Sequence, residues 1–266
     1  MKKKIKLIVW PLIYLVLIIN VCLSFILVFR SYYFRSIFVS GSSMEPTLHG
    51  TVSDRVDYGI IDDHNSAISR IKRFQIITTY YPFNDSKDYM GGYKHGEQNV
   101  INESEASYKI KRVYALPGET IKFVVDEEQA AAALEAGATD RYCETAQYYA
   151  RKAIEVHIKA ANSEEFVKQK ITFKRKIDIA KFAEYKNFVP YTLGEDEYWV
   201  MGDNYSASSD CFNKKSPIYR DNIVGVLIAI EGTCKIDAKL DPSSTIDGTK
   251  ISYQCKDRKR HFPTYY

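Results

Sequence analysis

A chain of 266 residues, 45% hydrophobic and 26% charged, has the composition of a folded protein with a buried core, which excludes a disordered one. Its formal net charge is +4, and Lys2, Lys3, Lys4 and Lys6 supply four positives at the amino terminus. The rest is balanced, which excludes nucleic acid as a partner.

Residues 1–6 form a short basic tail. Residues 7–29 carry no charged side chain, and a helix of that length, at about 1.5 Å per residue, crosses a hydrocarbon core of about 30 Å. The run is too long for a signal-peptide core. No small-residue cleavage site follows it; Arg30, Tyr32, Tyr33 and Arg35 stand there instead, as at a membrane interface. Four lysines before the span against two arginines just after it place the amino terminus in the cytosol and a body of about 230 residues outside. The expected location is the cytoplasmic membrane, single-pass, with the lipid bilayer itself as one partner.

Beyond the span, residues 36–39, 74–81, 107–114, 120–125, 154–158, 198–201 and 223–230 read as strands, being short and apolar or alternating. Turn signals at Gly91-Gly92, Pro117-Gly118 and Gly202-Asp203-Asn204 suit a mainly β, antiparallel body. Asp126 is placed to cap a helix running to Ala136 with Gly137 as its stop, and residues 142–170 form a charged, partly helical stretch. The expected segments are a catalytic β region over 30–125, a small α/β insertion or accessory region over 126–190, a second catalytic segment over 191–232 and an extension over 233–266.

Cys234 and Cys255 flank a turn-rich stretch containing Pro242, Ser243, Ser244 and Gly248, which makes them a candidate disulfide outside the cytosol. Neither the cysteines nor the five histidines have metal-ligand spacing, so no metal and no cofactor is expected.

Two features carry chemistry: Gly41-Ser42-Ser43-Met44-Glu45-Pro46-Thr47-Leu48, just beyond the span, and Lys111-Arg112 inside Tyr108-Lys109-Ile110-Lys111-Arg112-Val113. A serine hydroxyl is a poor nucleophile until a base takes its proton, and a lysine is a base only when desolvation keeps its amine neutral. The first motif resembles the nucleophile box of type I signal peptidases, with Ser43 at the nucleophile. Lys111-Arg112-Val113-Tyr114-Ala115-Leu116-Pro117-Gly118-Glu119 resembles the family's second box, with Lys111 at the general base. Gly202-Asp203-Asn204 followed by Ser208 and Asp210 resembles the third. The likeness covers residues 7–115 and 198–230.

The resemblance implies a membrane-anchored serine endopeptidase that removes signal peptides from exported preproteins after small residues, with the secretion translocon as a further candidate partner. A lysine in place of histidine implies the bacterial or organellar branch. It implies that Gly41 lets the chain bend closely against a peptide and that the Ser43 N–H faces the oxyanion. Ser208 would orient the Lys111 amine, with Ser206 as the alternative. Met44 would pack beneath the nucleophile, and Pro46, Arg112, Gly202, Asp203, Asn204 and Asp210 would be structural. This chain departs from the family at Arg73-Phe74-Gln75, where Arg-Gly-Asp is usual, and at Tyr205 and Phe212, where arginines are usual. The alternatives are a dedicated peptidase for one surface, pilus or toxin substrate and an inactive membrane-tethered binding homologue.

Overall fold

The computed structural model describes residues 2–50, 55–81, 107–236 and 253–257, with side chains over 10–28, 33–50, 55–80 and 109–234. Helix α1 (Lys2–Tyr33) opens the chain, and its Trp10–Val28 stretch, of mean hydropathy 2.7 and unburied by the rest of the protein, is long and apolar enough to cross a membrane. Its one amide, Asn20, donates back to the Val16 carbonyl at 2.8 Å, which satisfies one of that side chain's donors inside the apolar stretch.

The elements that follow are β1 (Phe34–Phe38), β2 (Arg55–Asp62), α2 (Asn65–Ile68), β3 (Ile76–Tyr81), β4 (Ser107–Ala115), β5 (Thr120–Val125), α3 (Glu127–Ala136), α4 (Glu144–Ala153), β6 (Ile154–Lys159) and β7 (Phe166–Lys168). Then come α5 (Phe182–Lys186), β8 (Tyr191–Thr192), β9 (Glu197–Met201), α6 (Cys211–Lys214), β10 (Ile218–Tyr219), β11 (Ile223–Ile236) and β12 (Tyr253–Asp257). The body is sheet-rich and its paired strands are antiparallel, as the turn chemistry implies. One sheet has the order β1-β2-β11-β3-β4-β9-β10, with β12 on β11; the other has the order β7-β6-β5-β8. The chain leaves the first sheet at Ala115 and enters the second at Thr120 through the Pro117-Gly118 turn, where Gly118 takes φ +76°.

The α/β insertion is built as its sequence suggests. The Asp126 side chain accepts from the Glu128 and Gln129 amides at 3.1 Å, and the Gly137 amide closes α3 on the Ala133 carbonyl at 2.9 Å. On β6, Ile154, Val156 and Ile158 are buried while Glu155, His157 and Lys159 are not. One core runs through both sheets. A smaller one, made of Val39, Met44, Leu48, Ile61, Ile76, Ile110, Leu227 and Ile230, lies around the turn after β1.

Three points differ from what the sequence implies. The strand β2 was not anticipated. The strand expected over 74–81 starts at Ile76, because Phe74 stands in the left-handed region at φ 70°, which breaks the extended backbone. The strand β11 runs on to Ile236, so residue 233 falls inside it. Cys234 is disulfide-bonded, whereas Cys22, Cys143 and Cys211 are free; the side chain of Cys255 lies outside the described residues.

Candidate active site

The turn that carries Ser43 is closed on β2. The Val39 amide donates to the Asp57 carbonyl at 2.9 Å, the Asp57 amide to the His49 carbonyl at 2.9 Å, and the His49 amide to Asp57 Oδ2 at 2.8 Å. Inside this loop Gly41 takes φ +78°, and a Cβ on Gly50 would sit 1.9 Å from the Gly41 carbonyl oxygen, so both positions require glycine. Met44 is fully buried in the smaller core, beneath the Ser43 turn; Pro46 follows a cis peptide bond. Apolar packing below the turn and strand pairing at its ends present residues 42 and 43 towards β4.

Lys111 lies on β4 opposite Ile77, and its side chain is 2% exposed. Its Nζ donates to Ser43 Oγ at 2.8 Å and to the Ile110 carbonyl at 3.0 Å. Burial pulls the amine from 10.5 down to about 8; Lys109 pushes it the same way, while Asp210 and Asp203 oppose the shift. At neutral pH about a tenth of the amine is then neutral, against well under a thousandth for a solvated lysine. A hydroxyl and a desolvated amine in hydrogen-bond contact are what base-assisted nucleophilic attack requires.

The other predicted residues hold these two in place. Arg112 donates to both carboxylate oxygens of Asp203, at 2.8 and 2.6 Å, and neither side chain is exposed. Asp203 also accepts from Thr47 Oγ1, in the serine turn. The Asn204 amide donates to the Ser43 carbonyl at 2.9 Å and its Nδ2 to the Ser42 carbonyl at 3.1 Å. A Cβ on Gly202 would lie 2.3 Å from the Ser43 carbonyl oxygen and 2.5 Å from Ser208 Oγ, so the bare glycine lets the third box touch the first.

Ser208 does not bond the amine. Its hydroxyl accepts from the Gly202 amide at 3.2 Å, and its closeness to the buried Asp210 carboxylate favours the charged form of that group. Ser206 donates to Asn204 Oδ1 at 2.6 Å. Asp210 also accepts from the Gly202 and Phe212 amides, at 3.0 and 3.1 Å, and burial raises its pKa. Both serines therefore brace the Gly202-Asp203-Asn204 turn.

The departures from the family pattern have structural substitutes. At Phe74 the left-handed backbone is kept without glycine: its carbonyl accepts from Arg112 Nη1 at 2.8 Å and its ring packs edge-on against Tyr114 and Phe173. Tyr205 accepts from Arg175 at 3.2 Å and donates to Tyr114 at 2.9 Å, while Phe212 stacks on Tyr185 at 4.2 Å. Sequence reading missed Asp57, Thr47 and Phe173. The first was legible in Val56-Asp57-Tyr58-Gly59-Ile60, whose apolar and aromatic residues mark a strand.

A serine hydroxyl and a buried lysine amine in contact on an antiparallel sheet, behind an apolar helix, are the groups that a serine hydrolase site needs. The sequence model of the family described as Signal peptidase, peptidase S26, matches residues 12–230. The chain is 26% identical over 209 residues to "Signal peptidase I P" of Bacillus subtilis subsp. natto, covering 77% of this chain and 82% of the relative. It is 24% identical over 196 residues to "Signal peptidase I" of Bacillus amyloliquefaciens, covering 74% and 75%. The protein belongs to the peptidase S26 family of signal peptidases. The match extends across the insertion, which the three boxes alone leave out.

Proposed function

We propose that this protein is a membrane-anchored serine endopeptidase that cleaves signal peptides from exported preproteins, with Ser43 as nucleophile and Lys111 as general base. The observation that carries the reading is the 2.8 Å contact between the Lys111 amine and Ser43 Oγ at a lysine only 2% exposed. Ser43 Oγ attacks the scissile carbonyl as its proton passes to Lys111 Nζ, and the oxyanion that forms faces the Ser43 amide. The ammonium returns the proton to the departing amine as the C–N bond breaks. Lys111 then takes a proton from water, whose hydroxide attacks the acyl ester and frees Ser43. Helix α1, with the amino terminus cytosolic and the body outside, confines the site to the membrane face and replaces a volume search by a lateral one.

The test is cleavage of a detergent-solubilised preprotein bearing an Ala-x-Ala site by the wild type, Ser43→Ala and Lys111→Ala, with the cut located by mass spectrometry. Cleavage after that site by the wild type alone is expected. Equal cleavage by all three removes both residues from the mechanism, and a folded wild type that leaves this preprotein intact points to a dedicated substrate or to the binding homologue.

A further inference from the structure

Residues 173–177 lie inside the insertion and outside all three boxes, yet they reach the catalytic turn. Along them Phe173, Arg175 and Ile177 are buried, Lys174 is exposed and Lys176 is half-buried, the period of a strand. Their one strand-like pairing is with the third box, as a parallel bridge between Lys176 and Asn204. The Lys176 amide donates to the Asp203 carbonyl at 2.9 Å, and the Lys176 carbonyl accepts from the Tyr205 amide at 2.8 Å. Asn204, held between those bonds, is the residue that binds the carbonyls of Ser42 and Ser43. Three residues before Lys176, the Phe173 ring lies 3.8 Å from the Arg112 guanidinium, capping the ion pair with Asp203.

The opposite side of the segment is fixed to the insertion. The Gln147 side chain, itself buried, accepts from the Ile177 amide and donates to the Ile177 carbonyl, both at 2.8 Å. Arg175, also buried, donates to the Arg151 and Ile154 carbonyls at 2.7 and 3.2 Å and to the Tyr205 hydroxyl. These partners come from α4, the start of β6 and the third box, so the segment bonds the insertion to the third box, beside the core that the two sheets share.

We propose that residues 173–177 are a positioning element of the serine–lysine site: anchored by Gln147 and Arg175, they hold Asn204 and the Arg112–Asp203 pair and so set where Ser43 stands relative to Lys111. The proposal rests on the reading of Ser43 as nucleophile. An attack geometry displaced by about 1 Å costs about 100-fold in rate, so loosening the segment lowers turnover more than substrate binding.

The experiment uses the full-length, detergent-solubilised protein and the Ala-x-Ala preprotein. It measures kcat and KM for the wild type, Phe173→Leu, Phe173→Tyr, Gln147→Met and Ser43→Ala, well below each melting temperature. Phe173→Leu and Gln147→Met are expected to lose at least about tenfold in kcat with KM within about twofold, and Phe173→Tyr, which keeps the ring, to stay within about threefold of the wild type. Folded Phe173→Leu and Gln147→Met with wild-type kcat, or a loss confined to KM, overturn the proposal. Equal losses in Phe173→Leu and Phe173→Tyr overturn the role of the ring. Should Phe173→Leu fail to fold, Gln147→Met decides. Cleavage by Ser43→Ala at the wild-type rate strikes instead at the nucleophile, and is separately visible.

Discussion

Arg112 and Asp203 meet through two hydrogen bonds in a place with no solvent exposure, and each is next in sequence to a residue of the site. Arg112 follows Lys111 on β4; Asp203 precedes Asn204, which binds the serine turn, and itself accepts from Thr47 of that turn. The pair therefore ties the strand of Lys111 to the turn of Ser43. A charge pair at this depth contributes little net stability, but losing one partner leaves a buried charge and costs about 3–5 kcal/mol. What it supplies here is a fixed distance.

The rate of cleavage should rise with pH through an apparent pKa of about 8, where the buried Lys111 amine gives up its proton, and level off above it. Asp210 favours the charged amine and Lys109 disfavours it. Asp210→Asn should move the midpoint down and Lys109→Gln should move it up. A pH profile of kcat/KM for the three proteins checks the signs; a midpoint that stays put in both variants assigns the limb to another group.

Stability carries the same signature. Folding lowers the Lys111 pKa from 10.5 to about 8, so below pH 8 the folded state holds a proton that the unfolded state binds more strongly. The penalty, about 3 kcal/mol, is present in full at neutral pH, fades as pH rises from 8 to 10.5 and is gone above that. Lys111→Met, similar in length and uncharged, should raise the melting temperature at pH 7 while abolishing cleavage, and the gain should shrink by pH 10. Thermal melts at the two pH values decide it. A variant less stable at pH 7 would mean that the hydrogen bonds to Ser43 and Ile110 outweigh the desolvation.

Gly202→Ala should be among the most damaging single-methyl changes. The added carbon has no room: 2.3 Å to the Ser43 carbonyl and 2.5 Å to Ser208 Oγ force the third box away from the serine turn. Overpacking of this kind costs about 1–3 kcal/mol, and the accompanying displacement of Ser43 should lower kcat by about 100-fold. Circular dichroism with preprotein cleavage separates the two effects; a folded variant with wild-type kcat would show that the turn tolerates the shift.

How much of this was legible in the sequence depended on the range of the interaction. Local rules gave the α3 cap at Asp126, the Gly137 stop and the buried face of β6, because each is settled within a few residues. Ser43 and Lys111 were legible only through motif resemblance; alternation on β4 cannot say that residues 110–115 are all buried. Spacing shows that Ser208 is near the site and not which neighbour it bonds, which is the Gly202 amide. The segment at 173–177 was unreadable because its partners, Gln147, Arg112 and Asn204, lie some 28 to 61 residues from the residues they meet, and one lone bridge leaves no periodic signal.

Phe74 poses a competition that magnitudes settle. A side chain held at φ 70° costs about 1–2 kcal/mol relative to glycine, the residue usual in the family at this position. Against that, its ring is 9% exposed and touches Tyr114 and Phe173, and removing a buried phenylalanine costs about 3–5 kcal/mol. Glycine also adds freedom to the unfolded chain, by roughly 0.5–1 kcal/mol. Packing wins, so Phe74→Gly should destabilise the protein by about 2.5–4 kcal/mol. The bond from Arg112 Nη1 runs to the Phe74 backbone carbonyl and survives the change. Activity well below the melting temperature should therefore fall much less than stability. Denaturant unfolding alongside kcat checks both halves: a stabilised variant would mean the strain exceeds the packing, and a large loss of kcat in folded protein would mean the ring helps to hold Arg112 through Phe173.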